Sequence, residues 1–275
     1  MTIGGVATQK LLMEERKQKE IEFHNKIRDL ALQKKQETYN YFWSNRKFYS
    51  ITRKSIQFFQ DWLIQRGQDK KVLDYCCGDG GTSITLAKQG FQVVGIDISD
   101  ISIENCRRAA VQENIAEKTT FYIMDAENMD FDDDSFDLIV CSGVLHHLDL
   151  TQAFPELARV LKPDGEIICI EPLAYNPFIQ LYRKRTPHLR TEWEAEHILT
   201  LEDLDLTRKY FGHVEVKFFH LATLAAVPFR NTPWFNTFLG WLEAVDEVIL
   251  RLPLIQTQAW QMIFTLSQPD QSSVE

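Results

Sequence analysis

The sequence predicts an α/β fold: a doubly wound, mostly parallel sheet preceded by helices. Three observations predict it. Short apolar runs alternate with helical stretches from about residue 70 to 172, the pattern of a parallel sheet. The first run, Val72-Leu73-Asp74, feeds a glycine loop at Gly78-Asp79-Gly80-Gly81, and a helix opens at Thr82. Carboxylates then close the second and third runs at Asp97 and Asp125.

The elements follow in order. Residues 1–7 read as a loose tail. Residues 8–38 are dense in Gln, Lys and Glu, with Leu11, Leu12, Ile21, Phe23, Ile27, Leu30 and Leu32 spaced as one or two amphipathic helices. Residues 46–66 predict another, with Phe48, Tyr49, Ile51, Ile56, Phe59, Leu63 and Ile64 facing inward. Residues 1–66 are therefore expected to form a helical cap, and 67–275 the main domain. Strands are expected at 72–74, 91–97, 121–126, 136–142 and 166–170, with helices near 80–89, 99–114 and 151–161. Ser99 and Thr151 are the expected N-caps. Pro163-Asp164-Gly165 turns the chain into the fifth strand. Residues 172–200 break the alternation with Pro172, Pro177 and Pro187, and are too long for a passive connection; they predict an inserted lid. A helix at 201–211, a strand at 213–219, a helix at 234–251 and a strand at 259–267 complete the chain.

Composition narrows the function. Net charge is −9, the wrong sign for a general nucleic-acid binder. Arg183-Lys184-Arg185 is too small a basic patch to change that. The five cysteines show no C-x-x-C spacing, so no zinc site is expected. Their odd number fits a reducing, cytoplasmic setting. No apolar run reaches the roughly 20 residues a membrane span needs. Lys10, Glu14, Glu15 and Arg16 interrupt any signal-peptide core.

A glycine loop followed by an acid 17 positions beyond Gly80 implies an adenosine-containing ligand. A dinucleotide and S-adenosylmethionine compete. Ser83 stands where the dinucleotide fingerprint has its third glycine, and Asp74 and Asp79 would repel a pyrophosphate. The same acids suit an ammonium and a sulfonium, by several kcal/mol at close range (about 4 at 4 Å). Charge favours the methyl donor.

In this order, the segments at 72–80, 91–97, 121–126, 136–148 and 161–170 resemble the class I S-adenosylmethionine-dependent methyltransferases, in the small-molecule-acceptor subgroup (methyltransferase type 11-like). The resemblance is strong over about residues 70–172. It implies a seven-stranded sheet of order 3-2-1-4-5-7-6 and S-adenosylmethionine as cofactor. Asp74, Cys76, Gly78 and Gly80 would hold its methionine part and Asp97 with Ile98 its ribose. Asp125 and Ala126 would take the adenine, and Cys141 would lie beside the amino group. His24, in the phrase Glu22-Phe23-His24-Asn25, resembles part of an N-terminal lid that closes over the cofactor. Cys76 departs from the family, which usually has glycine there; its Cβ narrows the loop.

An oxygen or carbon acceptor must also lose a proton. His147 and His146 follow the fourth strand and are the candidate bases, or else they hydrogen-bond the loop. Glu171, after the fifth strand, is a candidate contact for the acceptor. Tyr175, Phe178, His188 and Trp193 are candidate substrate contacts in the insertion. Phe178, Tyr182, Trp193, Phe229, Trp234, Phe235, Phe238 and Trp241 either build an apolar pocket or fill the core. No metal is expected, since adjacent histidines cannot readily share one ion. The expected function is methyl transfer to oxygen, nitrogen or carbon of a small, fairly hydrophobic, specialised metabolite, by a monomer or homodimer. A nicotinamide-dependent oxidoreductase and a non-catalytic methyltransferase-fold scaffold are the alternatives.

Overall fold

A computed structural model of the protein describes residues 3–32 and 46–270. One sheet of seven strands organises it: β1 (Lys71–Tyr75), β2 (Gln92–Asp97), β3 (Thr119–Ile123), β4 (Phe136–Ser142), β5 (Leu161–Pro172), β6 (Phe211–Phe219) and β7 (Gln261–Pro269). The order is β3-β2-β1-β4-β5-β7-β6, as the resemblance implies. Strands β1 to β5 pair in parallel, and β7 runs antiparallel between β5 and β6.

The strand pattern explains the two faces. Leu73, Tyr75, Ile139 and Cys141 point into one buried cluster with Phe136 and Phe154; Val72, Leu138 and Val140 point into the other with Leu86, Ile103 and Phe121. This period-two alternation of apolar side chains on both faces is what a covered parallel sheet requires. The crossover helices are α4 (Gly81–Lys88), α5 (Asp100–Gln112) and α6 (Leu150–Val160). Strand order reverses between β1 and β4, and the crevice at their carboxyl ends is where such sheets bind ligands.

The N-terminal helices are α1 (Ile3–Leu32), α2 (Arg46–Tyr49) and α3 (Arg53–Gln65). The expected loose tail is instead helical from Ile3, because extending a docked helix costs little once it is nucleated. The end of the expected 8–38 helix lies outside the described residues. The expected single helix over 46–66 breaks at Ser50–Thr52. The hydroxyls of Ser50 and Thr52 donate to Lys47 O (2.6 Å) and Tyr49 O (2.8 Å), competing with the helical ladder. Phe59, Trp62 and Leu63 are buried, whereas Ile56 and Ile64 are exposed.

Ser99 caps α5 by accepting from Ser102 N. The cap of α6 is Asp149, not Thr151. Its carboxylate accepts from both Thr151 N (2.9 Å) and Thr151 Oγ1 (2.6 Å), and its charge suits a helix N-terminus. The insertion folds as α7 (Pro177–Arg185), a 3-10 turn at Pro187–Leu189 and α8 (Glu192–Glu196); α9 (Leu201–Thr207), α10 (Phe235–Ile249) and α11 (Pro253–Gln256) follow.

The late aromatics mostly pack on one another. Phe229, Trp234, Phe238 and Trp241 form a ladder with ring centroids 4.9 to 6.4 Å apart, and Phe235 and Phe238 border the cluster of Ile51, Val227 and Leu239.

Candidate active site

A cavity of about 490 Å³ opens at the carboxyl ends of β1, β2 and β4, roofed by α1 and by the insertion. On its floor lies Asp74, next to last in β1, followed by the loop Cys76–Gly78. Cys76 adopts φ +56° and Gly78 φ +53°. Left-handed backbone at a cysteine costs roughly 1–2 kcal/mol, which is the strain the family's usual glycine avoids. The loop is tied to the next strand, because Gly78 N donates to Asp97 Oδ2 at 2.9 Å and Cys77 N to Ile96 O at 2.7 Å. Asp97 Oδ1 accepts from Ser99 N at 2.9 Å. Beyond β3, Asp125 Oδ1 accepts from Glu127 N, and the buried Tyr75 hydroxyl donates to Ala126 O at 2.7 Å, fixing that corner. Three carboxylates, Asp74, Asp97 and Asp125, thus share one wall.

Asp74 is 2% exposed. Burial raises its carboxyl to about 6, against the hydrogen bonds from Ser83 and with help from the Asp97 charge. Ser83 Oγ donates to it at 2.5 Å, so the residue that replaces a third glycine holds this acid.

Helix α1 supplies a stripe at helical spacing: Arg16, Lys17, Glu20, Phe23, His24, Ile27 and Arg28 all line the cavity. Arg16 forms a buried pair with Glu127 (2.5 Å) and donates to His147 O (2.7 Å). Lys17 reaches Asp125 (2.6 Å), and Arg28 reaches Asp79 (3.0 Å). The sequence predicts an amphipathic cap helix here, from its apolar residues alone; the i, i+3/i+4 recurrence of Arg16, Lys17, Glu20 and His24 is the signal of which polar side chains dock.

Each histidine has its own carboxylate. His146 Nδ1 meets Glu171 Oε2 at 2.7 Å, and His147 Nδ1 meets Glu20 Oε2 at 3.2 Å. Burial opposes charging His147, but the Glu20 hydrogen bond and the charges of Glu194, Glu20 and Glu171 outweigh it and raise its pKa above the usual 6.5. Glu20, held by His147, His24 and the Thr191 hydroxyl despite its burial, lies far below the usual carboxylate range. Glu20, His24 and His147 also offer three ligand atoms within 4.8 Å of one another, a grouping the expectation of no metal had not weighed. In this arrangement they hydrogen-bond to each other.

Of the residues singled out from the sequence, Asp74, Cys76, Gly78, Asp97, Ile98, Asp125, Ala126, His24, His146 and His147 line the cavity. Seven do not. Glu171 is fully buried, and its carboxylate accepts from Val144 N (2.8 Å), Leu145 N (2.9 Å) and His146. It organises the histidine turn and does not face the chamber. Gly80 is the N-cap of α4 at φ +80°, where a Cβ would lie 2.9 Å from Cys106 Sγ. Cys141 points into the core, which pushes its thiol up, and Ser142 and Gly143 take its place in the wall. The Tyr175 hydroxyl accepts from Leu201 N. Phe178 is 78% exposed, and His188 is exposed on its turn. Trp193 stacks on His197 at 3.6 Å, behind the wall. The aromatic lining comes instead from Phe23, Phe48, Tyr49, Tyr182 and Trp260.

Comparison with known proteins agrees with this geometry. Residues 72–165 match the family model described as a methyltransferase domain. A demethylmenaquinone methyltransferase of Lactiplantibacillus plantarum is 33% identical over 112 residues, covering 39% of this chain and 47% of that protein. The chloroplastic tocopherol O-methyltransferase of Arabidopsis thaliana is 36% identical over 103 residues, covering 37% of this chain and 30% of that protein. The crystal structure of YcgJ from Bacillus subtilis superposes with a TM-score of 0.51 at 19% identity, covering 80% of this chain and 99% of that one. The match spans about half the length of these curated relatives, or less. The sheet order and these matches agree on a class: over residues 72–165 the chain is similar to a methyltransferase domain, on the fold of the class I S-adenosylmethionine-dependent methyltransferases. S-adenosylmethionine is the cofactor of that class, and the acids lining the crevice fit its cationic amino and sulfonium groups. No helix among the described residues is long and apolar enough to cross a membrane.

Proposed function

We propose that the protein transfers a methyl group from S-adenosylmethionine to oxygen, nitrogen or carbon of a small, fairly hydrophobic metabolite. The carrying observation is a single cavity with two unlike ends. One end is walled by Asp74, Asp97 and Asp125, at or just past successive strand ends; the other combines apolar and aromatic wall with two carboxylate-paired histidines and the arginines of the insertion. The bound cofactor supplies an electrophilic methyl group on sulfur.

The chain's own residues do the rest. Asp74 and the amides of the Cys76–Gly78 loop hold the amino-acid end, Asp97 the ribose, and Asp125 with the backbone beside Ala126 the adenine. Helix α1 closes over them as a lid, latched by the Arg16–Glu127 and Arg28–Asp79 pairs, and excludes water. Orientation is the main contribution in an in-line displacement. His147 accepts the acceptor's proton on Nε2, while Glu20 at Nδ1 fixes the tautomer and stabilises the imidazolium formed. Calorimetric titration with S-adenosylhomocysteine and with NAD tests the reading. Binding of the first and not the second is expected, and NAD binding alone refutes it.

A further inference from the structure

The acceptor end of the cavity holds more positive charge than its own carboxylate neutralises. Arg183 and Arg190 both line it, on α7 and just before α8, with Glu194 as their shared partner. Arg183 Nη2 reaches Glu194 Oε1 at 3.2 Å, whereas Arg190 Nε stops at 3.6 Å, too far for a hydrogen bond. The Nε atoms of both arginines are buried and without a hydrogen-bond partner. Arg190 is only 7% exposed. Its Nη1 is used up on the carbonyls of Arg183 and Thr186, which fixes the guanidinium in place. Burial and the neighbouring Arg190 charge lower the pKa of Arg183, so one carboxylate does not satisfy the pair.

Buried guanidinium donors left open are costly, and a fixed planar fork selects a planar anion. Gln261 lines the same cavity, and its Oε1 is likewise buried without a donor. Ile179, Leu189 and Trp260 supply apolar wall between. His146 Nε2 lies 4.0 Å from Glu194 Oε1, so the arginines adjoin the histidine turn and not the adenine wall.

We propose that the methyl acceptor is an apolar carboxylic acid whose carboxylate docks on Arg183 and Arg190, with a hydroxyl or amine donor facing Gln261. The inference rests on the methyltransferase reading of the same cavity. With Glu20 and Glu171 held by His147 and His146, the two guanidiniums share Glu194 alone, which matches a monoanionic carboxylate better than a phosphate dianion.

The test measures binding to the full chain, with and without saturating S-adenosylhomocysteine. The probes are benzoate, 2-naphthoate and octanoate, each paired with its methyl ester, and 2-naphthyl phosphate. At least one acid is expected to bind tenfold or more tighter than its ester, about the worth of one charge-assisted hydrogen bond. Arg190→Met and Arg183→Met should each reduce that ratio to near one. Glu194→Gln, which removes the resident carboxylate, should tighten acid binding several-fold. Arg190→Lys keeps the charge, and near-ultraviolet circular dichroism reports whether each variant keeps its packing. Esters binding as well as acids across all pairs, an acid preference that survives both Met variants, or a preference for the phosphate over 2-naphthoate would each overturn the proposal. Failure to bind S-adenosylhomocysteine would instead sink the methyltransferase reading, since the acid–ester comparison stands without it.

Discussion

Lowering the pH from about 7.5 to about 5 is expected to weaken S-adenosylhomocysteine binding about tenfold through Asp74 alone. Burial holds this carboxyl at about 6 in the free protein, against the Ser83 hydrogen bonds and helped by the Asp97 charge. A cationic amino group beside it is expected to bring it back toward the ordinary 3.8. At pH 5 about nine in ten free molecules then carry a proton that binding must expel, and the affinity factor is about 11; at pH 7.5 it is about 1. The stability sign is consistent. A carboxyl raised from 3.8 to about 6 favours the fold at low pH. That advantage, about 3 kcal/mol, is lost as pH rises through this window, and bound cofactor offsets the loss. Titration calorimetry in two buffers of different ionisation heat, for the wild type and Asp74→Asn, reads both affinity and proton release. The wild type should release close to one proton per ligand near pH 5 and almost none at 7.5. Asp74→Asn should bind more weakly at 7.5 and show no slope. A flat wild-type profile refutes the reasoning. So does an unchanged slope in the variant, which would place the proton on a group other than Asp74.

Other expectations follow from the same contacts. Asp97→Ala removes the acceptor for Gly78 N and Ser99 N along with the ribose grip; calorimetry should show at least tenfold weaker S-adenosylhomocysteine binding, about 1.5–3 kcal/mol per charged hydrogen bond. If His147 is a base, its raised pKa places the acid limb of the rate profile above the ordinary histidine range. Glu20→Gln should move that limb to lower pH while lowering the plateau, as read from turnover against pH. Glu171→Gln breaks a buried charge network with three donors and should cost about 2–4 kcal/mol in thermal or denaturant unfolding. Cys76→Gly relieves left-handed backbone and should leave stability unchanged or raise it by up to about 1 kcal/mol, the gain being offset by glycine's unfolded entropy.

Much of the fold was legible because its signals are local. Buried parallel strands read as apolar runs, and Ser99 announces a cap within a few residues; Pro163-Asp164-Gly165, expected as a turn, instead lies inside β5, where the register with β4 shifts. That three acids meet in one cavity was legible for a related reason: Asp74, Asp97 and Asp125 sit at or just past strand ends, so finding the strands finds the acids. The acceptor end was not. Glu20 meets His147 across 127 positions and Arg16 meets Glu127 across 111, and no local pattern encodes such meetings. Glu171 misled for the opposite reason. It has the right address at the end of β5, but its carboxylate turns inward to three donors that only the folded loop brings together.

The two ends of the cavity are electrostatic opposites, and this bears on how the reaction is ordered. The cofactor wall carries Asp74, Asp97 and Asp125 for a ligand with cationic groups, while the acceptor end carries Arg183 and Arg190 beside one Glu194. Helix α1 spans both: Lys17 sits on Asp125 and Glu20 on His147, three residues apart on one face. A ligand that draws Asp125 away from Lys17 loosens the same helical turn that positions His147 through Glu20. Cofactor binding is therefore expected to couple to the set of His147 through the helix, to the extent that the second partner of Lys17, Glu127 at 3.1 Å, does not hold the turn by itself. Lys17→Ala removes one end of that coupling. The variant should keep the Glu20–His147 pair but lose the dependence of the His147 titration on S-adenosylhomocysteine, as followed by its imidazole proton resonance. A His147 titration that responds to the ligand equally in wild type and variant would show that the helix does not carry the coupling.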